Sequence, residues 1–417
     1  MPEGDRERRE QDAEHEREDR GRIEVALGAR GRLGRRLLGD DAGAAPDAEL
    51  PRRVEVATAV RAGARRIPAV HRDPIILGRV TGSLPVPTRP LVIGHRGASG
   101  YRPEHTESAY RLAFEQGADA VEPDLVATRD GVLVIRHENE ISGTTDVARR
   151  PEFADRRTTK EIDGQRLTGW FTEDFDWAEL ATLRAVERLP KVRPASAGHD
   201  GAEPMLRLVD LLGLIDECQD VAGRMLRMVA EIKHAHYFAS IGLPLDELFA
   251  REIAGWDDAA ERLTVESFEQ SVLTKVRDRG VPGKTVYLIE AEGAAPDLEA
   301  RDGVNALSYA AQIGPRGLPA LLGAVDGVSL AKSLVIVSDD DEVESTGTVE
   351  RIRAAGLEVY TWTLRAENRF LTRAARLGGG KEAPGDWRTE FRAIYDTGVD
   401  GVFADQPDLA VAVRDEH

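Results

Sequence analysis

The sequence predicts an α/β protein built on a closed TIM (β/α)8 barrel, and three observations carry that reading. From Leu91 onward, short and almost continuously apolar runs alternate with helical stretches, the pattern of a parallel sheet covered on both faces. Nine such strand cues fall within about 320 residues, which suits a closed barrel better than an open sheet. Charged residues recur at the ends of those runs, where barrels place their chemistry.

Taken in order, the elements begin with residues 1–88, which alternate charge clusters with Gly and Ala and read as a charged N-terminal extension. Its first 20 or so residues lack apolar groups to bury and are expected to be disordered. RIEVALGARGRLGRRLL reads as a short basic surface helix and VTGSLPVPTRP as a linker. Residues 89–417 hold the barrel. Its strand cues are LVIGHRG, AVEPDLVAT, VLVIRHE, RMVAEIKH, RLTVESF, KTVYLIE, GVSLA, LEVYTWTL and GVDGVFADQP, with the amphipathic helix HTESAYRLAFEQG after the first. Nine cues for eight places leave one as a rim strand or a misreading. After the third cue, residues 138–204 are rich in charge and aromatics, and a stretch that long predicts a small inserted subdomain or lid on the catalytic face.

Composition narrows the function. The 417 residues are 41% hydrophobic, ample for a core. The formal net charge of −18 disfavours broad binding to nucleic acid or anionic membrane, so an anionic small substrate needs a local positive pocket. No run approaches the ~20 apolar residues of a membrane span. The first 20 residues contain no apolar core of a secretory signal, which predicts a cytoplasmic protein. The single cysteine, Cys218, excludes an intrachain disulfide and reads as a packed small hydrophobe rather than a nucleophile.

The chemistry lies at the strand ends. In AVEPDLV, Glu122 and Asp124 stand two apart and leave the strand on one face; Glu231 and Lys233 do the same in RMVAEIKH. His95 follows Leu91 and Ile93 at the same spacing, and His137 follows Leu133 and Ile135. Any one of these is ordinary: an isolated E-x-D is commonly a solvated strand end, an E-x-K an ion pair, and Phe268 or Trp362 a core residue. Their recurrence over successive units is not. Carboxylates converging from separate strands need a cation between them, and oxygen donors suit Mg²⁺ or Ca²⁺ better than zinc.

Together, HRGASGYRPEHT, EPDLV, HENEISGTTDV, EIK, the SF of ESF and GVDGVFADQP resemble the signature of glycerophosphodiester phosphodiesterases from about 91 to 412. The long insert is most similar to that of the branch typified by the bacterial periplasmic enzyme. The resemblance implies a TIM barrel, a bound divalent metal (Ca²⁺ or Mg²⁺), and cleavage of small-molecule glycerophosphodiesters, the deacylated phospholipids, to an alcohol and sn-glycerol 3-phosphate. Carried over by position, it implies His95 and His137 as catalytic, Glu122, Asp124 and Glu231 as metal ligands, and Arg96 as the phosphate contact. Lys233, Phe268 and Trp362 fall at substrate-binding positions, and Glu104 matches the glutamate of the PEH motif, where we expect it to orient a neighbouring group. Two departures stand out: Glu138 follows His137 where many members carry Asp, and Leu364-Arg365 replaces an apolar residue and Asn after Trp362-Thr363. A sphingomyelinase D-like phospholipase on the same barrel is the alternative; the full PEHT and E-x-K signatures and the hydrophilic insert argue against it. A catalytically idle binding barrel is the third reading, disfavoured because every expected position is occupied.

Overall fold

A computed structural model describes residues 89–417, apart from Asp340; the extension, basic helix and most of the linker read from the sequence lie outside these residues. Eight strands close the barrel: β1 (Leu91–His95), β2 (Ala120–Glu122, resuming after Pro123 as Asp124–Ala127), β3 (Arg227–Ile232), β4 (Leu263–Ser267), β5 (Lys284–Ile289), β6 (Gly327–Ala331), β7 (Glu358–Leu364) and β8 (Gly401–Ala404). Each pairs in parallel with the next, and β8 returns to β1 with Leu91 opposite Gly401 and Gly94 opposite Ala404.

The surplus cue is the third, VLVIRHE. Only Leu133–Ile135 is extended, and it folds back antiparallel on β2 with Leu125 opposite Ile135. The D-G turn at 130–131 explains this: a parallel partner needs a long crossover, whereas antiparallel strands join through a tight turn. His137 is therefore carried by the loop after a rim hairpin, not by a barrel strand, and the insert leaves from the same point. Before the helix α2 (Leu208–Ala222), that insert holds the exposed hairpin Thr158–Ile162/Gln165–Gly169. Its aromatics anchor it: Phe171 and Phe175 are fully buried, and Phe153 meets Phe175 edge-on at 5.1 Å.

Inside the barrel, Ile93, Ala120, Val229, Val286, Tyr360 and Phe403 fill the floor. Two residues beyond four of these stand His95, Glu122, Glu231 and Asp405, so the apolar floor supports a charged mouth. Helix α1 (Glu107–Glu115) begins at Thr106, whose hydroxyl accepts from the Ala109 N–H, and buries Ala109, Tyr110, Ala113 and Phe114. It lies close on β1 because Gly94 and Gly97 have no Cβ. A Cβ at Gly97 would stand 2.6 Å from the Ala109 carbonyl carbon, and its φ of +86° is itself a glycine conformation. The glycines of GHRG are there for shape, which leaves His95 and Arg96 between them for chemistry.

Candidate active site

Register brings the acids together. His95 is opposite Glu122 across β1 and β2, Asp124 is opposite Glu231 across β2 and β3, and Glu231 is opposite Glu266 across β3 and β4. Oxygen atoms of Glu122, Asp124 and Glu231 lie within 4.8 Å of one another, and all three side chains are buried. Lys233 Nζ sits 2.8 Å from Glu231 and 3.5 Å from Asp124. Burial, followed by Asp124 and Glu231, pushes Glu122 well above the usual carboxylate range. Burial, with Asp124, raises Glu231 to about 8 despite Lys233. Burial would raise Asp124 too, but Lys233, His137, His105 and Arg96 outweigh it and hold that acid well below its ordinary value. Asp124 Oδ1 is fully buried and accepts no hydrogen bond, with the Lys233 ammonium 3.5 Å away. An oxygen-only set, strained by its own charge and with an unsatisfied acceptor, fits a hard divalent cation.

Around this set the cations are tied down. Arg96 donates its backbone N–H to Glu122 (2.8 Å) and its guanidinium to Glu104 (3.1 Å), with Nε 3.4 Å from Asp124. His105 bridges Asp124 (2.8 Å) and the Tyr110 hydroxyl (2.7 Å), fixing the carboxylate's orientation. On the far side of Lys233, its ammonium lies 5.6 Å from the Phe268 ring, which meets Trp362 edge-on at 5.7 Å. The structure thus gathers every site residue expected from the sequence at one end of the barrel.

Each histidine is backed by a carboxylate. His95 Nδ1 is 2.6 Å from Asp405, and His137 Nδ1 is 2.5 Å from Glu138. A carboxylate accepting from Nδ1–H leaves Nε2 of each ring free for proton transfer. Burial first, then Arg96, lowers His95 to about 4 and His137 to about 3, so both rings are neutral at neutral pH. Sequence reasoning passed over Asp405, His105, Glu266, Arg188 and Arg193. Asp405 directly follows β8 and Glu266 is in β4, so the rule about strand ends could have found both. Glu266 is 1% exposed, and burial, then Glu231 and Asp124, raises it well above the ordinary range. The departure at Arg365 has a partner as well, since its Nε donates to Asp405 at 2.7 Å. Cys218 is half-buried with its thiol pushed up by burial, as a packed residue would be.

Residues 95–409 match the model of the glycerophosphoryl diester phosphodiesterase family. A glycerophosphodiester phosphodiesterase of Arabidopsis thaliana is 28% identical over 296 residues, 68% of this chain and 77% of the relative. One from Haemophilus influenzae is 24% identical over 347 residues, 77% of this chain and 88% of its own. Among solved structures, an Oleispira antarctica phosphodiesterase in complex with the product sn-glycerol-3-phosphate has a TM-score of 0.53 at 20% identity, covering 78% of this chain and 97% of that one. At that identity the likeness speaks for the fold.

Proposed function

The chain belongs to the glycerophosphoryl diester phosphodiesterase family, and from that premise we propose that it hydrolyses glycerophosphodiesters to an alcohol and sn-glycerol 3-phosphate with a divalent cation, Ca²⁺ or Mg²⁺, held by Glu122, Asp124 and Glu231. The observation that carries the reading is the convergence of three buried carboxylates, Arg96 and two carboxylate-backed histidines at one barrel end.

When bound, the cation offsets charge on the phosphate oxygens. Arg96, fixed by Glu104 and Asp124, presents a planar fork to the same phosphate, and Lys233 adds a point charge beside it. Because both are nearly buried, their attraction for an oxyanion acts in a partly dehydrated pocket where it is strong. One neutral imidazole Nε2 takes the proton of the attacking oxygen and later returns it to solvent, while the other ring, having taken a proton from solvent, delivers it to the departing alkoxide; each role is typically worth ~10²–10⁴ in rate. Asp405 and Glu138 hold the two rings in the tautomer that does this. Phe268 and Trp362 supply an apolar wall beside Lys233.

The test is release of glycerol 3-phosphate from glycerophosphocholine. We expect turnover that is lost on chelation, restored by Mg²⁺ or Ca²⁺, and reduced at least ~10²-fold in His95→Ala. Full activity after thorough metal removal contradicts the metal assignment. Turnover of micellar sphingomyelin or lysolipid in preference to the soluble diester favours the phospholipase alternative.

A further inference from the structure

We propose that the inserted segment is a working part of the site: Arg188 and Arg193 are positioning residues that immobilise the carboxylates behind His137 and His95. The inference rests on the phosphodiesterase reading above and assigns those two arginines a role in it.

The geometry is paired. Arg188 grips Glu138 with both terminal nitrogens, Nη1 to Oε1 at 2.9 Å and Nη2 to Oε2 at 2.7 Å, and Glu138 Oε1 meets His137 Nδ1. Arg193 Nη2 donates to Asp405 Oδ2 at 2.6 Å, and Asp405 Oδ1 meets His95 Nδ1. A carboxylate fixes a histidine tautomer only if it stays ionised and does not rotate. Burial alone would raise both acids, but Arg188 and His137 hold Glu138 low, and Arg365, Arg193 and His95 hold Asp405 low. Arg188 has a second grip, on both oxygens of Glu104 (2.9 and 2.6 Å), the acid that holds Arg96. Arg193 is likewise shared with Glu367 at 2.7 Å and with the carbonyl of Ser99 at 3.1 Å, whose hydroxyl donates to the His95 carbonyl.

Both arginines come from one braced turn. The Leu189 carbonyl accepts from Val192 and Arg193 N–H at 2.9 and 2.8 Å, and Glu187 receives the Leu189 N–H at 2.7 Å and the Ser196 hydroxyl at 2.5 Å. A single turn therefore reaches both histidine–carboxylate pairs, from an element that is not part of the barrel. Arg193 is 7% exposed and Arg365 shares its Asp405 oxygen, so losing Arg193 leaves that acid one cation. Among the described residues, Glu138 has Arg188 as its arginine partner, so Arg188 has the larger effect.

The experiment uses the full chain labelled with ¹⁵N-histidine, metal-free for spectra and Mg²⁺- or Ca²⁺-loaded for turnover of glycerophosphocholine. Arg188→Ala should shift the imidazole nitrogen signals of His137 and leave those of His95 in place; Arg193→Ala should do the reverse. In Arg188→Ala, kcat should fall about 10- to 100-fold, the usual effect of removing a partner that orients a reacting group. Millimolar guanidinium should restore part of it, because Arg188 lies near the surface with a side chain 24% exposed. Where the alanine variant does not fold, Arg188→Lys is read instead, since an ammonium cannot bridge two carboxylates in the same way. Unmoved His137 signals and kcat within twofold of wild type in a folded variant overturn the proposal. If the wild-type chain releases no glycerol 3-phosphate, the phosphodiesterase reading fails, while the imidazole spectra still decide whether the arginines hold the rings.

Discussion

Glu122 shows how strongly this site depends on what fills it. Three buried acids repel one another, and burial with that repulsion pushes Glu122 and Glu231 up, so a divalent cation among them would relieve the cost. Saturating Mg²⁺ or Ca²⁺ should therefore raise the melting temperature, by the equivalent of about 2.7 kcal/mol at a hundredfold excess over Kd. Asp124→Asn should abolish the response, and a wild-type melting point indifferent to both ions contradicts the assignment. The histidines give a second prediction. His95 and His137 titrate near 4 and 3 in the folded protein, against ~6.5 in an unfolded chain. The unfolded state thus gains protons that the native state refuses as pH falls below 6.5, so the stability these rings contribute is present above that pH and lost toward 4. Urea midpoints between pH 7.5 and 4.5 should fall less steeply in a His95→Gln/His137→Gln double variant; parallel curves would contradict this. At this scale the sequence is legible where partners are two residues apart, as with Glu122 and Asp124. It is silent where they are 310 apart, as with His95 and Asp405, because only barrel closure brings β1 beside β8.

Among the elements, the joint between β1 and α1 carries the tightest constraint. Gly97→Ala combines a left-handed backbone with an overlap against Ala109. It should cost about 2 kcal/mol or more and displace His95 and Arg96 on the same turn. Thermal melting together with glycerophosphocholine turnover checks it, and an unchanged melting point contradicts the packing argument. Strands and helices were readable because near-continuous apolar runs mark buried parallel strands and α1 has a clear apolar face. VLVIRHE was ambiguous for a physical reason: a rim strand whose three residues are all fully buried has the composition of a barrel strand. The insert was visible as a long, charged, aromatic stretch, yet the direction of its arginines could not be read, since a turn stabilised by Glu187 and Ser196 has no periodicity.

For the whole molecule, the barrel closes entirely within residues 89–417. Its C-terminal helix (Pro407–Glu416) ties back to the start, with Arg414 bonding Asp119, which in turn accepts the Val92 N–H. We expect a chain beginning at residue 89 to fold and to retain turnover of glycerophosphocholine; loss of both would make residues 1–88 part of the catalytic unit. The net charge of −18 sits with an active end whose cations, Arg96, Arg188, Arg193 and Lys233, are each matched to a carboxylate, so attraction for a phosphodiester is local rather than global. Among the described residues no helix is long and apolar enough to cross a membrane. The most direct test of the account is anomalous diffraction from crystals soaked in Mn²⁺ or Ca²⁺. A single peak within coordination distance of Glu122, Asp124 and Glu231 is the expected result; a catalytically active crystal form with no peak there, or with its only peak elsewhere, would contradict it.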